Sequence, residues 1–215
     1  MRKSVRYKGV DAMSKNVNSN FPLKGKVVFF ATGNINKFME AKSILGSYGI
    51  AVGMLKLKGD EIQSESLQNI AETSVKNAYS HCGMPIFLED AGLFIDALDG
   101  FPGPYAAYVY QTIHNRGILK LMENIKDKSA KFQSVISYCD SENPYKPKSF
   151  HGEIQGAITI AERIEQGKSG FGFDPIFQPK DSSKTFAEMT LSEKNCYSHR
   201  AMAIRKFADW YVKQH

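Results

Sequence analysis

Short apolar runs alternate along the chain with longer stretches whose apolar positions recur every three to four residues, the two periods of strand and helix. Lys26-Val-Val-Phe-Phe-Ala-Thr32 is a β-branched and aromatic run typical of a buried strand, and Gly33-Asn34 breaks it. A helix is predicted from about Asn36 to Tyr48, with Phe38, Ala41, Ile44 and Leu45 on one face and Asn34 or Asn36 as its cap. A second strand, roughly 51–57, leads into a polar stretch over 58–65. Helical spacing returns from Ser66 to Cys82, with Leu67, Ile70, Ala71, Ser74, Val75 and Ala78 inward. Pro85-Ile-Phe-Leu-Glu-Asp90 is then a strand ending in two carboxylates. This alternation predicts an α/β sheet with buried strands.

The second half is less regular. Residues 91–104 are rich in Gly and Pro and read as a loop. A helix is predicted from about Tyr105 to Ile125, and strands over 131–139 and 149–160 with a hairpin loop between them. Residues 167–179 form a glycine-rich aromatic loop, and Ser198 caps a terminal helix running to about Gln214. Together these predict one α/β domain over 25–215 with a β-hairpin lobe.

Composition sharpens the picture at one place. The 215 residues suit a single domain, and 42% hydrophobic with 23% charged residues excludes disorder throughout. A net charge of +6, from 28 basic and 22 acidic residues, invites a nucleic-acid partner. Yet residues 1–26 hold seven of the basic residues and one acid, which leaves 21 against 21 for the rest. The excess therefore belongs to a basic, flexible extension over 1–24, and a nucleic-acid partner is not expected for the neutral body. Cys82, Cys139 and Cys196 lack CxxC spacing, as in a reducing cytoplasm. No apolar run approaches the roughly 18–20 residues of a membrane span, and the N-terminus has no apolar signal core.

Four segments are candidates for chemistry. Thr32-Gly-Asn-Ile-Asn-Lys37 lies at a strand-to-helix junction, where backbone N–H groups and the helix dipole favour an anion. It reads equally as an ordinary capped turn, and it is not a Walker A loop. Glu89-Asp90 ends a buried strand, and alternation sends the two side chains to opposite faces. The pair either solvates the strand end or contributes one acid to a site, where Asp90 and Glu61 would suit Mg²⁺ as hard oxygen ligands. Ser169-Gly-Phe-Gly-Phe-Asp-Pro175 either presents Phe171 and Phe173 for stacking a base or plugs a core with them. Glu193-Lys-Asn-Cys-Tyr-Ser-His-Arg200 carries the donors Lys194 and Arg200, and His199 at a helix start that disfavours a charged imidazole.

In this order the segments are specific. Thr32-Gly-Asn-x-x-Lys37, Glu89-Asp-Ala-Gly-Leu93, Gly100-Phe-Pro-Gly-Pro-Tyr105, Gly170-Phe-Gly-Phe-Asp-Pro175, Phe186-Ala-Glu-Met189, Glu193-Lys-Asn195 and Ser198-His-Arg200 resemble the inosine triphosphate pyrophosphatase (Ham1) family across 26–210. The resemblance implies a long central mixed sheet flanked by helices, in two lobes around a nucleotide cleft, and a cytoplasmic homodimer. It implies Mg²⁺-dependent hydrolysis of ITP, dITP and XTP to the monophosphate and pyrophosphate. On the matching positions, Thr32, Gly33, Asn34 and Lys37 would hold phosphates, and Asp90 would bind metal and help activate water, with Lys37 as its catalytic partner. Glu61 would be the second metal acid, and Lys76 matches a substrate-contacting helix lysine to within about two residues of register. Phe171, Gly172, Phe173 and Asp174 would enclose base and sugar, and Lys194, His199 and Arg200 would contact base or phosphates. Ala91 stands where many members carry Ser or Thr, and Phe173 where Tyr or Trp is frequent. Two other functions compete: a pyrophosphatase of modified pyrimidine nucleotides, and a nucleotide- or RNA-binding protein without catalysis.

Overall fold

The computed structural model describes residues 26–57, 62–165 and 170–214. The expected basic extension therefore lies outside the described residues, as does Glu61. In chain order the elements are β1 (Lys26–Ala31), α1 (Ile35–Ser47), β2 (Ile50–Leu55), α2 (Leu67–Cys82), β3 (Ile86–Ile95) and β4 (Pro102–Gly103). Then come α3 (Ala106–Leu121), β5 (Ser129–Cys139), β6 (Lys148–Ile158), β7 (Phe177–Pro179), α4 (Leu191–Tyr197) and α5 (His199–Gln214). The described strands form one mixed sheet in the order β2-β1-β3-β5-β6-β7, with β4 beside the end of β3. β1 runs parallel to β2 and β3, whereas β5, β6 and β7 add antiparallel.

Helices α1, α2 and α5 form where expected. Asn34 caps α1 by accepting from the N–H groups of Asn36 (2.9 Å) and Lys37 (3.2 Å). The Ser66 hydroxyl accepts from Asn69 at the head of α2, and the Ser198 hydroxyl accepts from Ala201 at the head of α5.

Two cores lie along the longest strands. One face of the sheet packs Val28, Phe30, Phe87 and Tyr138 against Ile44 and Leu45 of α1 and Phe207 and Tyr211 of α5. Farther along β3, Leu93 and Ile95 enter a second core with Val109 and Ile118 of α3, Phe132, Phe177 and Phe186. β3 therefore bridges the two cores, and its middle, where Glu89 and Asp90 stand, falls between them.

The expected loop over 91–104 is where the prediction fails. β3 continues to Ile95, followed by a 3₁₀ turn over Asp96–Leu98 and by β4. The glycine that suggested a break is in the strand because β4 passes close by: a Cβ on Gly92 would lie 2.5 Å from the carbonyl oxygen of Gly103. The predicted helix over 105–125 also ends earlier, at Leu121, and breaks at His114 (φ 55°). An additional helix, α4, precedes the terminal one, and the two meet at Ser198 in extended conformation. A second close approach seats α5 on the sheet, since a Cβ on Gly152 would collide with the His199 carbonyl oxygen.

Candidate active site

The end expected to take an anion is local. β1 stops at Ala31, and the Thr32 hydroxyl accepts from the Asn34 N–H at 3.1 Å, shaping the turn into α1. Gly33 opens onto space, with nothing within 4 Å of where a Cβ would be. Lys37, on the first turn of α1, places its ammonium 2.8 Å from Glu89 Oε2. This turn meets a gap in the sheet. β1 lies beside Ile86 and Phe87 of β3, and β4 beside Leu93 and Phe94. Between those contacts the edge of β3 over 88–92 has no strand next to it among the described residues. Such a crevice beyond the carboxyl end of a parallel strand is where open α/β sheets take ligands.

Glu89 and Asp90 divide as alternation requires. Glu89 faces α5, where its carboxylate accepts from the Ser134 hydroxyl at 2.6 Å and from Arg200 Nε at 3.0 Å. Burial alone would raise its pKa, but Arg200 and Lys37 outweigh burial and hold the carboxyl well below its ordinary range. Asp90, half-buried, turns to the opposite face, where its strand partner Val135 packs with Leu67 and Ala71 of α2. Ala91 follows in the strand opposite Ser134.

The other end is assembled from distant segments. Arg200 Nη1 donates to Glu40 Oε2 at 2.6 Å, and Lys194 bridges Glu40 (2.9 Å) and Asp174 (2.8 Å). Asp174 also accepts the Phe171 N–H at 3.0 Å, so the aromatic loop hangs from this carboxylate. Glu40 too would have a raised pKa from burial alone, and Arg200 and Lys194 lower it instead. The result is a buried series of alternating charges: Lys37, Glu89, Arg200, Glu40, Lys194, Asp174. Breaking such a series leaves an uncompensated charge in a dry place, which costs about 3–5 kcal/mol.

The two loop phenylalanines have separate fates. Phe173 is 3% exposed and meets Tyr110 of α3 edge-on at 5.5 Å, inside the second core. Phe171 is half-buried, with its ring 4.6 Å from Lys194 Nζ and 5.2 Å from Arg200 Cζ. Gly172 between them has φ 60°, which lets the rings point apart. Phe173 thus plugs the core, as one reading of the motif expected, while Phe171 stays outside that core beside the two cations. His199 is 2% exposed and stacks on Phe132 at 4.6 Å. Burial and the neighbouring Arg200 push its pKa well below the ordinary histidine value, so the ring is neutral. Its Nδ1 is buried without a hydrogen-bond partner among the described residues.

Thr32, Gly33, Asn34, Lys37, Asp90, Ala91, Phe171, Gly172, Asp174, Lys194 and Arg200 thus border the crevice or the charge series beside it. Lys76 does not join them. Its charge acts on the Cys139 thiol of β5, which lies across β3 from β1. Sequence reasoning missed Glu40 and Ser134. Glu40 carried a signal, an acid on the face of α1 that buries Ala41, Ile44 and Leu45. Ser134 is one of many serines and carried none.

The likeness to known proteins extends over the same residues. The Ham1 family matches residues 28–210. The dITP/XTP pyrophosphatase of Methanopyrus kandleri is 49% identical over 184 residues, covering 86% of this chain and 95% of that protein. The protein of the same name from Thermococcus kodakarensis is 46% identical over 181 residues, 84% of this chain and 95% of that protein. The Ham1 protein structure from Coxiella burnetii superposes with a TM-score of 0.75 at 28% identity, over 87% of this chain and 99% of that one. The Staphylococcus aureus Ham1 protein gives 0.74 at 26% identity, over 88% and 100%. From β1 to the last turns of α5, through both ends of the crevice, this chain belongs to the Ham1 family.

Proposed function

We propose that this chain hydrolyses non-canonical purine nucleoside triphosphates, namely ITP, dITP and XTP, to the monophosphate and pyrophosphate. What carries the reading is a crevice with a phosphate-type turn at one end and an aromatic ring over buried cations at the other. The 49% identical relative named for dITP and XTP supports it.

In this reading the turn over 32–37 receives the phosphates, with Lys37 exchanging Glu89 for a phosphate oxygen. Asp90 orients the attacking water and accepts its proton. Mg²⁺ fits this donor set, because it needs few protein carboxylates and completes its shell with waters and substrate oxygens. Asp90 would hold it, together with Glu61; when bound it neutralises charge on the triphosphate. The Phe171 ring stacks the base. Arg200 uses Nε and Nη1 on Glu89 and Glu40, and its remaining Nη2 donates to the purine 6-carbonyl. Adenine offers a donor there, so ATP would leave two donors facing each other in a buried place.

A homodimer in the cytoplasm belongs to the same proposal. Phe101, Tyr105 and Tyr108 are exposed by 41, 42 and 68% at the start of α3, an apolar face that a second copy would cover. No helix among the described residues is long and apolar enough to cross a membrane.

The test is a panel of ITP, dITP, XTP, GTP and ATP with Mg²⁺ and identification of the products. Pyrophosphate release from ITP or XTP should exceed that from ATP by at least about 100-fold, given the buried mismatch. Orthophosphate as the product, or equal rates on ATP, would overturn the reading.

A further inference from the structure

The charge series does more than hold each side chain in place. It starts at Lys37 in the phosphate turn and ends at Asp174, which holds the backbone of the base-stacking Phe171. Each link is a direct ion pair: 2.8 Å for Lys37–Glu89, 3.0 Å for Glu89–Arg200, 2.6 Å for Arg200–Glu40, 2.9 Å for Glu40–Lys194 and 2.8 Å for Lys194–Asp174. Lys37 has the most exposed side chain of the six, at 21%, while the others are exposed by 6% or less.

We propose that Glu89 is a positioning residue coupling the two ends of the crevice, so that binding at either end strengthens binding at the other. The inference rests on the nucleotide-hydrolase reading above. Glu89 divides one negative charge between Lys37 and Arg200. A phosphate that draws Lys37 away leaves this buried carboxylate to Arg200 and Ser134, and in a poorly screened interior its pull on Arg200 grows. Arg200 then shifts its balance from Glu40 to Glu89, Glu40 turns more fully to Lys194, and the loop carrying Phe171 is set for the base. In reverse, a base that fixes Arg200 and Lys194 loosens Glu89 from Lys37 and frees that ammonium for phosphate. Such coupling is reciprocal by thermodynamic necessity. A base that fails to engage Arg200 leaves Lys37 on Glu89, so a mismatch at the purine is felt at the phosphates.

The experiment measures binding rather than turnover. Inorganic pyrophosphate with Mg²⁺ is titrated calorimetrically into the full-length protein, without and with saturating inosine monophosphate. In the wild type the nucleotide should tighten pyrophosphate about tenfold, within the usual range for coupled sites. In Glu89→Gln, checked for folding by thermal melting, the ratio should fall to within about twofold of unity. Glu89→Asp keeps the charge and should retain part of the effect. Asp174→Asn breaks the series at its far end and should abolish the ratio too, so the test stands even if Glu89→Gln does not fold. A ratio of one in the wild type, or an unchanged ratio in folded Glu89→Gln or in Asp174→Asn, overturns the coupling. Failure of the functional reading looks different: ITP would then release no pyrophosphate, whereas loss of coupling alone leaves that release in place.

Discussion

The two ends of the crevice are built in opposite ways. One end comes from one stretch of chain, where Thr32, Asn34 and Lys37 shape a turn between β1 and α1 through contacts two to three residues apart. The other end draws Glu40 from α1, Asp174 from the aromatic loop, Lys194 from α4 and Arg200 from α5, residues up to 160 positions apart. The first end needs only local geometry. The second is organised by packing, because buried ions persist only where the fold brings opposite charges within about 3 Å of each other. A local site therefore tolerates change around it, while a site held by buried ion pairs does not.

The largest effect is expected from Asp90, which lies on β3 between the two ends but on the face opposite Glu89. Asp90→Asn keeps shape but removes the charge and the proposed base, so turnover of ITP should fall by about 10³-fold or more. Thermal melting should barely move, and near-wild-type turnover would remove Asp90 from the chemistry. In the aromatic loop, Phe173→Ala empties a position in the second core and should cost about 3–5 kcal/mol in urea unfolding. Its neighbour gives the contrast. Phe171→Ala should barely change stability but lose about 1–3 kcal/mol of base stacking, read as a higher KM for ITP. At the turn over 32–37, Lys37→Ala should lower kcat/KM about 100-fold through loss of the proposed phosphate donor, and should also lower stability, since it leaves Glu89 with Arg200 as its one remaining ion-pair partner in the series.

The smallest expected effect is one of pH. His199 is held neutral by burial and by Arg200, so the unfolded chain takes up the proton first, below about pH 6.5. Its contribution to stability is therefore complete above that pH and is lost as the pH falls. His199→Phe keeps the stack on Phe132 and should flatten the melting temperature between pH 6.5 and 5. Glu40 and Glu89 also have lowered values, so their contributions disappear only at more acid pH, below the ordinary carboxylate range of about 4–4.5. An unaltered slope in His199→Phe would assign the acid sensitivity elsewhere.

Much of this was legible in the residues. Periodicity located α1, α2, β1, β2, β5, β6 and the first half of β3, because an apolar stripe or run has a single economical way to be buried, whereas the short β4 and β7 lay in stretches read as loops. Asn34, Ser66 and Ser198 announced helix starts because a side-chain oxygen satisfies N–H groups in its own neighbourhood. Gly92 was misread because a glycine in a strand and a glycine in a turn look alike until the passing chain, here Gly103, is known. Phe171 and Phe173 could not be told apart for a related reason, since only Tyr110 decides which ring enters the core.

The sequence by itself determined the order of the main elements, the capped turn over 32–37 and the set of chemical groups available to the crevice. These depend on interactions within a few residues, which local spacing encodes. Tertiary structure alone decided that Glu89 would serve Lys37 and Arg200 while Asp90 faced the other way, that Glu40 would join them, and that Lys76 would not. The reason lies in electrostatics and packing together. A buried charge is stable only beside its counter-charge, and which charges become neighbours follows from how β3 and α5 are seated in the fold.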